Sequence, residues 1–392
     1  MAKLHVLLVP SWYPTPTRPL SGIFFREQAI ALKKAGFDVG VVAPILRSVR
    51  YGLTKDSIFS KEIWVDDCGV RTLSCELLAY PKLRRLNMMR WLGAGRRLFE
   101  VYIRRYGKPD IIHAHSILHA GVLAKIILKE YGIPYVITEH SSAFARGLIN
   151  HWQSKLIKKS ISSASCMIAV SKDFARLLQE TYPSSKAGDW KYVPNLVDIS
   201  KFKYENLDTN NGTSDEFVFF TAAFLTKKKG INYLIEAMAE KFRGGAVRLW
   251  IAGDGEERVA LERLARERGI DNQIEFLGNL GRKEISRRMS LCDAFVLPSL
   301  YETFGVVLIE ALASGKPVVA TKCGGPESIV TPECGYLVSP ADSNQLAEAM
   351  AMIMRDKNSF SAESIRRSCV DRFSEDAVVS ELSNLYSKVL RE

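Results

Sequence analysis

The sequence predicts an α/β protein built from two domains, each a doubly wound parallel sheet, that face one another across a cleft. The chain has 392 residues, and at roughly 150 residues per domain this length indicates two domains. Short apolar runs alternate with helical patterns in both halves, which is typical of parallel sheets covered by helices on both faces. A polar stretch at 206–216 separates the two series and is the best candidate for a linker or surface loop.

The first half repeats an order of helix, glycine and buried strand. An apolar run at 6–9 predicts the first strand, and the pattern at 25–35 predicts a helix that Gly36 ends. Further strands are predicted at 39–43, 111–114, 135–138 and 166–170. The predicted helices therefore connect neighbouring parallel strands.

The second half restarts the same pattern after the polar stretch. Strands are predicted at 217–222, 247–252, 274–277, 294–297 and 317–321, and helices at 231–241, 256–268 and 375–390. Ligands of such sheets bind beyond the carboxyl ends of the strands, so we expect the functional motifs there.

Composition excludes several classes of protein. With 47% hydrophobic and 25% charged residues, the whole chain cannot be intrinsically disordered. No uncharged apolar run approaches the ~18 to 20 residues of a spanning helix, and the first apolar run lacks a small-residue cleavage site, so a cytoplasmic location is expected. The seven cysteines are scattered and never spaced C-x-x-C, which favours reduced core residues over a zinc site or a disulfide framework.

The net charge of +11 is concentrated in one segment. Between residues 82 and 108 nine lysines and arginines are opposed by Glu100 alone, and their spacing predicts a basic amphipathic helix whose middle Gly93 and Gly95 weaken. Two interpretations remain open, a surface that docks to anionic lipid and a solvated helix face. Nucleic acid is disfavoured as a partner, because no aromatic-interleaved basic motif is present.

The stretch 298–320 carries the most informative motif. It runs from the end of an apolar strand through a short loop into a helix near Gly305, and a helix N-terminus beside a cleft suits a phosphate. If the segment between Glu302 and Glu310 were wholly helical, these carboxylates would lie roughly 12 Å apart, with one on a sugar hydroxyl and the other on a ribose. Taken alone, the pair also fits a capping glutamate and a solvated one.

Other segments give this stretch a context. Glu302 and Glu310 are followed by GKPVVAT at 315–321 and CGGPESIV at 323–330. The further segments are PSWYP at 10–14, SGIF at 21–24, DIIHAH at 110–115, TEH at 138–140, VPNLVD at 193–198, LTKKKG at 225–230, IAGDG at 251–255 and FLG at 276–278. In this order they resemble the motifs of retaining glycosyltransferase family 4, the group 1 glycosyltransferases, over nearly the whole chain.

The resemblance implies a GT-B fold with two Rossmann-like domains. It assigns acceptor binding to residues 1–200 and nucleotide-sugar binding to residues 201–374, and it implies that a helix at 375–392 crosses back to the first domain. The family is typically metal-independent, and the chain contains no Asp-x-Asp. We therefore expect neither a metal site nor a cofactor.

The resemblance also assigns roles to individual residues. Glu310 is expected to bind the ribose hydroxyls, Glu302 and His140 to contact the donor sugar, and Lys229 to neutralise the diphosphate, so that Glu302, His140 and Lys229 form the catalytic set. The other expected donor-binding residues are Gly22, Lys228, Asn195 and the amides near Phe304, Gly305 and Val306. His113 and His115 are expected to face opposite sides of their strand, with a structural role for both.

Three positions depart from the family pattern. Phe224 stands where an arginine commonly precedes the lysine of the phosphate loop, so a planar bidentate donor is lost, and Lys227 or Lys228 is the candidate replacement. Ser21 replaces a frequent second glycine, which leaves the close backbone approach to Gly22. Leu196 replaces the glycine that usually follows Asn195.

The expected function is transfer of a sugar from a UDP- or GDP-sugar to an acceptor hydroxyl, with retention at the anomeric carbon, in polysaccharide or glycolipid biosynthesis. The acceptor, a glycan or a lipid-linked glycan, is expected near residues 11–24 and the basic segment 82–108. The charge pattern of that segment favours a position at the inner face of the membrane. The alternatives are a nucleotide-sugar epimerase or a phosphorylase on the same fold, and a peripheral membrane scaffold without catalysis. A dinucleotide oxidoreductase is disfavoured, because no Gly-x-Gly-x-x-Gly follows the first strand.

Overall fold

The computed structural model of the chain describes residues 3–48, 61–183, 188–202 and 216–391. The chain divides into two compact units, of which unit 1 comprises Met1–Asn195 and Val378–Glu392 and unit 2 comprises Leu196–Ala377. The predicted loop at 206–216 falls outside the described residues except for Glu216. Each unit contains one sheet flanked by helices, as the alternating pattern predicts.

Unit 1 contains an eight-stranded sheet in the order β3-β4-β2-β1-β5-β6-β7-β8. Its strands are β1 (His5–Pro10), β2 (Asp38–Ser48), β3 (Glu62–Asp67), β4 (Val70–Ala79), β5 (Ile111–His115), β6 (Tyr135–Glu139), β7 (Cys166–Ala169) and β8 (Lys191–Tyr192). All neighbours are parallel except β3 and β4, which are antiparallel. Every residue of β1 is buried, because this central strand is covered on both faces.

The helices of unit 1 connect these strands. They are α1 (Ile23–Lys34), α2 (Arg84–Tyr106), α3 (Val122–Tyr131), α4 (His151–Ile161) and α5 (Lys172–Thr181). Asn150 begins α4 with a reciprocal capping box to Gln153, and the Ser171 side chain caps α5. The last helix, α12 (Glu375–Val389), places Tyr386 against this sheet, where its hydroxyl lies 2.6 Å from Nδ1 of His113.

The predicted basic helix runs unbroken as α2 through Gly93 and Gly95. A Cβ at position 95 would lie 2.5 Å from Cδ2 of Leu123, so the glycine allows α2 to approach its neighbour closely. The face that α2 buries includes Trp91, Leu98, Phe99 and Tyr102. Packing of this apolar face therefore outweighs the ~1 kcal/mol that each glycine costs in a helix.

The hairpin β3–β4 is absent from the sequence prediction. Its two-residue loop, Cys68-Gly69, has φ of 55° and 81°, with Asp67 opposite Val70 in the ladder. Two successive residues with positive φ form the mirror-image turn that suits the twist of a hairpin. The signal in the sequence is therefore the Asp-Asp-Cys-Gly run at 66–69, with a cysteine where asparagine is the usual residue.

Unit 2 contains a six-stranded sheet, entirely parallel, in the order β11-β10-β9-β12-β13-β14. Its strands are β9 (Phe217–Ala222), β10 (Val247–Ala252), β11 (Ile274–Gly278), β12 (Ala294–Leu297), β13 (Val318–Thr321) and β14 (Gly335–Val338). Its helices before α12 are α6 (Ile231–Lys241), α7 (Arg258–Glu267), α8 (Arg282–Leu291), α9 (Val306–Ala313), α10 (Ser343–Arg355) and α11 (Ala362–Phe373). The core packs Phe219, Leu249 and Val296 of the sheet against Leu234 and Met350. No helix in the described part of the chain is both long and apolar enough to cross a bilayer.

Candidate functional site

In unit 2 a short loop after β9 positions the predicted phosphate lysine. Residues Lys227–Lys229 form one turn of 3₁₀ helix, and Gly230 follows in the left-handed conformation with φ 63°. A Cβ on Gly230 would lie 2.1 Å from the Pro298 carbonyl oxygen, so only glycine allows this loop to lie against the end of β12. The Leu300 N–H also donates to the Lys228 carbonyl at 2.8 Å, which joins the loop to the glutamate motif.

The structure brings Lys229 and Glu302 together. Nζ of Lys229 lies 2.5 Å from Oε2 of Glu302, and each side chain is 17% exposed. A largely buried ion pair of this kind holds both side chains in fixed positions. These two residues, 73 positions apart in the sequence, form the polar centre of the candidate site in unit 2.

Helix α9 begins directly beyond this pair. Gly305 precedes it with φ 104° and ψ 61°, and Val306 is its first residue. The Phe304 side chain is buried and packs on Phe373, with ring centroids 5.9 Å apart, while Gly325 lies close to the Phe304 backbone. The backbone amides at Phe304, Gly305 and Val306 therefore stand at a helix N-terminus, an arrangement that attracts anions.

The expected helical separation of Glu302 and Glu310 is wrong. Glu302 lies in the loop before α9, and only Glu310 is helical, because the positive φ of Gly305 prevents the helix from starting earlier. The 12 Å estimate, which assumed a continuous helix, therefore does not apply.

Glu310 is buried, and its carboxylate accepts a hydrogen bond from Nη1 of Arg282, the first residue of α8. The Arg282 guanidinium also lies over the Phe202 ring, 5.4 Å from its centroid. Sequence reasoning missed Arg282, because nothing in the pattern of α8 links it to a residue 28 positions away. The arginine pairs with a buried carboxylate at the expected ribose position and fixes its orientation.

In unit 1 the expected sugar-contacting residue, His140, directly follows β6. Its Nε2 lies 3.2 Å from Nδ1 of His115, and its ring packs on the rings of Phe24 and Phe25 at 5.1 and 4.9 Å. Burial lowers the pKa of His140 and of His115 well below the ordinary value, so both imidazoles are neutral at neutral pH. His140 is thus a fixed neutral hydrogen-bonding group at the carboxyl end of the sheet.

The expectation that His113 and His115 face opposite sides of β5 is wrong. Their rings stack at 4.2 Å with 25° between the planes, because residues two apart in a strand share a face. His113 is held by Thr138 Oγ1 at 2.7 Å and by the Tyr386 hydroxyl at 2.6 Å. A connected series of side chains therefore runs from α12 through the stacked histidines to His140.

Glu139 is a further buried residue that sequence reasoning did not single out. Its carboxylate accepts the backbone N–H groups of Ile117, His140 and Ser141 at 2.7, 2.8 and 2.7 Å. Burial raises the pKa of Glu139, and these three donors lower it. The side chain fixes the backbone on both sides of His140, and its signal in the sequence is a carboxylate that closes an apolar strand.

The remaining predicted residues occupy distinct places. Gly22 precedes α1 with φ 72°, and a Cβ there would lie 2.9 Å from the Trp12 carbonyl oxygen. Asn195 is buried and is the last residue of the first segment of unit 1. Phe224 is 58% exposed, so the side chain at the usual arginine position makes no core contact that explains it. No group of three or more His, Cys, Asp or Glu side chains in the described ranges is arranged to hold a metal ion.

Comparison with protein families gives two adjoining matches. Residues 21–201 match the model of Glycosyltransferase Family 4, and residues 204–368 match that of Glycosyl transferases group 1. Among curated proteins, the glycogen synthase of Mycobacterium tuberculosis is 26% identical over 373 residues, which cover 90% of this chain and 86% of that protein.

Solved structures share the whole fold. The sucrose-phosphate synthase of Thermosynechococcus elongatus superposes with a TM-score of 0.79 at 23% identity and 99% coverage of both chains. HepE of Anabaena, in complex with UDP and glucose, gives a TM-score of 0.74 at 20% identity, with 98% of this chain and 100% of that chain covered. These neighbours have the GT-B fold, and the sheet pair described above is of that type. The chain therefore belongs to the group 1 glycosyltransferases of family 4 and is a glycosyltransferase with the GT-B fold.

Proposed function

We propose that this glycosyltransferase moves a sugar from a nucleoside-diphosphate sugar to an acceptor hydroxyl, with retention at the anomeric carbon, in polysaccharide or glycolipid biosynthesis. The observation that carries the proposal is the Lys229–Glu302 ion pair next to the N-terminus of α9. A cation and a helix N-terminus together favour a diphosphate, and the adjoining carboxylate can accept from sugar hydroxyls.

The Lys229–Glu302 pair and the N-terminus of α9 would stabilise the departure of the diphosphate. As the bond between the anomeric carbon and the diphosphate oxygen breaks, negative charge grows on the diphosphate. Lys229 would exchange part of its contact with Glu302 for that charge, and the amides of Gly305 and Val306 would donate to it. Preorganised donors stabilise the transition state more than the ground state, so a divalent cation is not needed for this purpose.

The other residues would hold the donor. Glu310, fixed by Arg282, would accept from the ribose hydroxyls, while Glu302 and His140 would orient the sugar. Lys228, Gly22 and Asn195 would complete the donor contacts. In the retaining step the acceptor oxygen bonds to the anomeric carbon on the face that the diphosphate leaves, and a phosphate oxygen takes the acceptor proton.

UDP-sugars are the donors to test first, with GDP-sugars second. HepE, whose fold this chain shares, was solved with UDP and with UDP-glucose, and the glycogen synthase relative supports a polysaccharide product. Residues 11–24 and the first turns of α2 would serve the acceptor.

The reaction can be tested without knowing the acceptor, because water can replace it slowly. The protein is incubated with UDP- and GDP-sugars, and NMR reads the anomer of the released sugar before it mutarotates. We expect the α-linked donor to release the α-anomer, undiminished turnover in EDTA, and turnover reduced at least 100-fold in Glu302→Gln. Release of the β-anomer would contradict retention, and acceptor-free interconversion of two UDP-sugars would identify an epimerase.

A membrane-facing surface is part of the proposal and rests on the start of α2. Leu83, Leu86 and Met89 recur every three residues and are exposed, Met89 to 69%, so they lie on one side of the helix. Lys82, Arg84 and Arg85 are exposed beside them. By contrast, Arg96 and Arg97 in the second half pair with Glu130 and Glu62 at 3.1 and 3.6 Å.

Helix α4 extends this surface. The Arg85 guanidinium lies 5.7 Å from the centroid of the Trp152 ring, which joins the two helices, and Lys155 and Lys159 of α4 are exposed. Apolar side chains flanked by basic ones fit an anionic bilayer surface, where each basic residue contributes roughly 1 kcal/mol. A peripheral position on a membrane would bring the enzyme to a lipid-linked acceptor.

Vesicle sedimentation tests this surface. We expect binding to phosphatidylglycerol-containing vesicles at low salt, no binding to pure phosphatidylcholine, and loss of binding in Met89→Glu. The matched control is Arg96→Gln, which removes a charge from the ion-paired half of α2 and should still bind. Equal sedimentation with both lipids, or none with either, would exclude the membrane role.

A further inference from the structure

Unit 1 contains a cavity that is lined in part by the segment 11–24, which is proposed to serve the acceptor. Its volume is about 130 Å³, and it is partly open to solvent. The loop after β1 forms one wall, and the last residues of β2 and Glu76 of β4 form the other. The cavity thus lies at the carboxyl ends of neighbouring parallel strands, where sheets of this type bind ligands.

A buried ion pair forms part of the cavity wall. Nη1 of Arg47 lies 2.9 Å from Oε2 of Glu76, and both residues are buried. Removing two charges from water costs about as much as their attraction returns, so an apolar pair here would serve stability as well or better. The placement of a guanidinium and a carboxylate at the edge of a cavity is therefore better explained by a polar ligand.

The two charges cancel, and this decides the class of ligand. The wall offers donors from Arg47 and acceptors from Glu76, whose Oε1 accepts no hydrogen bond from any other residue that the structure describes. An anionic ligand such as a phosphate or a carboxylate would be repelled by the Glu76 carboxylate. The positive charge of Arg47 is already balanced by its ion pair with Glu76. The third charged residue of the lining, Arg18, is exposed. Neighbouring hydroxyls, each able to donate and accept, fit this wall.

The facing loop is preorganised. Pro14, Pro16 and Pro19 restrict it, and the Thr15 and Arg18 backbones exchange hydrogen bonds of 3.3 and 3.0 Å. Thr17, which lines the cavity, has its hydroxyl 3.2 Å from that of Thr15. Such a loop loses little entropy when a ligand binds.

Trp12 adds an apolar surface to this lining. Trp12 lines the cavity, and its ring packs on that of Phe25, with centroids 5.2 Å apart. A flat indole beside paired donors and acceptors matches a sugar ring, which carries hydroxyls at its edge and C–H groups on its faces.

We infer that this cavity binds an uncharged sugar or cyclic polyol unit of the acceptor, with Arg47 and Glu76 forming hydrogen bonds to two neighbouring hydroxyls. The inference rests on the proposed glycosyl transfer and specifies its acceptor. Arg47 and Glu76 then determine acceptor specificity and take no part in holding the nucleotide.

Saturation-transfer NMR tests the inference in the presence of UDP. The probes are methyl glucoside, methyl galactoside, methyl mannoside and myo-inositol, set against glucose 1-phosphate and glucuronate. At least one neutral probe should bind, about tenfold or more weaker in Glu76→Gln, which removes a charge-assisted contact. Because Glu76→Gln can also disturb folding, the exposed Thr17→Val provides a second variant that should weaken the same probe at unchanged Tm.

The matched control is Glu62→Gln, which breaks the Arg97 ion pair outside the cavity and should leave probe binding intact. Failure of every neutral probe to bind, binding of the anionic probes alone, or binding unaffected by both cavity variants would overturn the inference. A shift of Tm by UDP is recorded for each variant and should match the wild type. A wild type whose Tm is not shifted by UDP would instead contradict the proposed function. Failure of the acceptor inference and failure of the proposed function can therefore be distinguished.

Discussion

At the scale of single residues, the candidate site of unit 2 consists of two carboxylate–cation pairs. Lys229 pairs with Glu302 at 2.5 Å, and Arg282 pairs with the buried Glu310. Each cation fixes the position of its carboxylate. The two pairs thus present basic and acidic side chains to a ligand that brings both phosphates and hydroxyls.

Replacement of Lys229 tests the first pair. In Lys229→Met we expect UDP affinity to fall by about 1.5 to 3 kcal/mol, or roughly 10- to 150-fold, because a charge-assisted contact to the diphosphate is lost. Isothermal titration calorimetry measures the change. The proposed donor contacts include Lys228 and leave out the exposed Lys227, so Lys227→Met is the matched control and should change affinity less than threefold. Equal losses in both variants would mean that only the general positive charge of the loop matters.

The sequence predicted both members of the first pair and only Glu310 of the second, for physical reasons. Glu302, Glu310 and Lys229 lie in local motifs whose spacing can be read along the chain. Arg282 and Glu139 act through contacts between distant segments, with Arg282 on another helix and Glu139 reaching backbone amides of a different turn. Such contacts become visible only once the strands are placed beside one another.

At the scale of elements, α9 depends on the conformation of the residue before it. Gly305 has φ 104°, and a Cβ there would lie 3.2 Å from Leu308 Cδ1 and 3.3 Å from Leu297 Cδ2. Both strain and crowding therefore oppose any side chain. Glycine at this position fixes where the helix starts and hence where its free amides lie.

Gly305→Ala should lower the free energy of unfolding by about 1 to 2 kcal/mol, because alanine is strained at positive φ. UDP affinity should fall with it, since the helix N-terminus must shift. Gly93→Ala is the control, at a helix position where a Cβ meets nothing within 4 Å, and it should stabilise by about 0.5 to 1 kcal/mol. Urea unfolding and UDP titration measure both effects, and an unchanged UDP affinity in Gly305→Ala would exclude the amides from the site.

Regular elements were predictable where periodicity is strong. Every strand predicted from an apolar run and the helix at 231–241 are present in the structure, since continuous apolar runs and 3.6-residue periodicity report burial directly. The strands β4, β8 and β14 were not predicted. The hairpin β3–β4 was not predicted, because β3 is half exposed and the turn contains Cys68 in place of a common turn residue. The unbroken course of α2 depends on contacts of Gly95 that no local pattern shows.

At the scale of the whole molecule, the two units differ in their buried polar groups. Unit 1 buries His113, His115 and His140 around one end of its sheet, and burial lowers the pKa of His113 to about 3. Five of the six tryptophans lie in unit 1, with Trp250 alone in unit 2. Tryptophan fluorescence therefore reports chiefly on the unit that carries the histidines.

The stability of unit 1 should fall as the pH is lowered. In the unfolded chain His113 has a pKa near 6.5 and takes up a proton below it, whereas folded His113 stays neutral down to about pH 3. The free energy of unfolding that depends on neutral His113 is fully present above pH 6.5 and decreases as the pH falls towards 3. Between pH 7 and pH 5 the free energy of unfolding falls by about 2 kcal/mol. The pKa of Glu139 is raised by burial, so protonation of Glu139 opposes part of this loss.

Urea unfolding followed by tryptophan fluorescence at pH 5, 6 and 7 checks the direction. The wild type should lose stability towards pH 5, and His113→Gln should show a flatter dependence even if it is less stable at pH 7. His151 is exposed, and His151→Gln should follow the wild type. A wild type equally stable at all three pH values would contradict a neutral buried cluster.

The fold class of the whole molecule could be predicted from alternation alone, and both sheets, parallel except for β3–β4, confirm it. Composition alone could not show that the C-terminal segment Val378–Glu392 belongs to unit 1. That assignment depends on packing such as the contact of Tyr386 with His113. The family membership, by contrast, followed from ordered motifs and is confirmed by both family models.

The central claim is that a nucleoside diphosphate binds beside Lys229 with its ribose on Glu310. A thermal-shift panel of UDP, GDP, ADP, CMP and NAD with their sugar conjugates, applied to the wild type and Glu310→Gln, tests it most directly. A ligand at 100 times its Kd stabilises the native state by about 2.7 kcal/mol. We expect one diphosphate family to raise the Tm of the wild type and to lose that effect in Glu310→Gln. A wild type that no nucleotide stabilises, or a shift that survives in Glu310→Gln, would contradict the account.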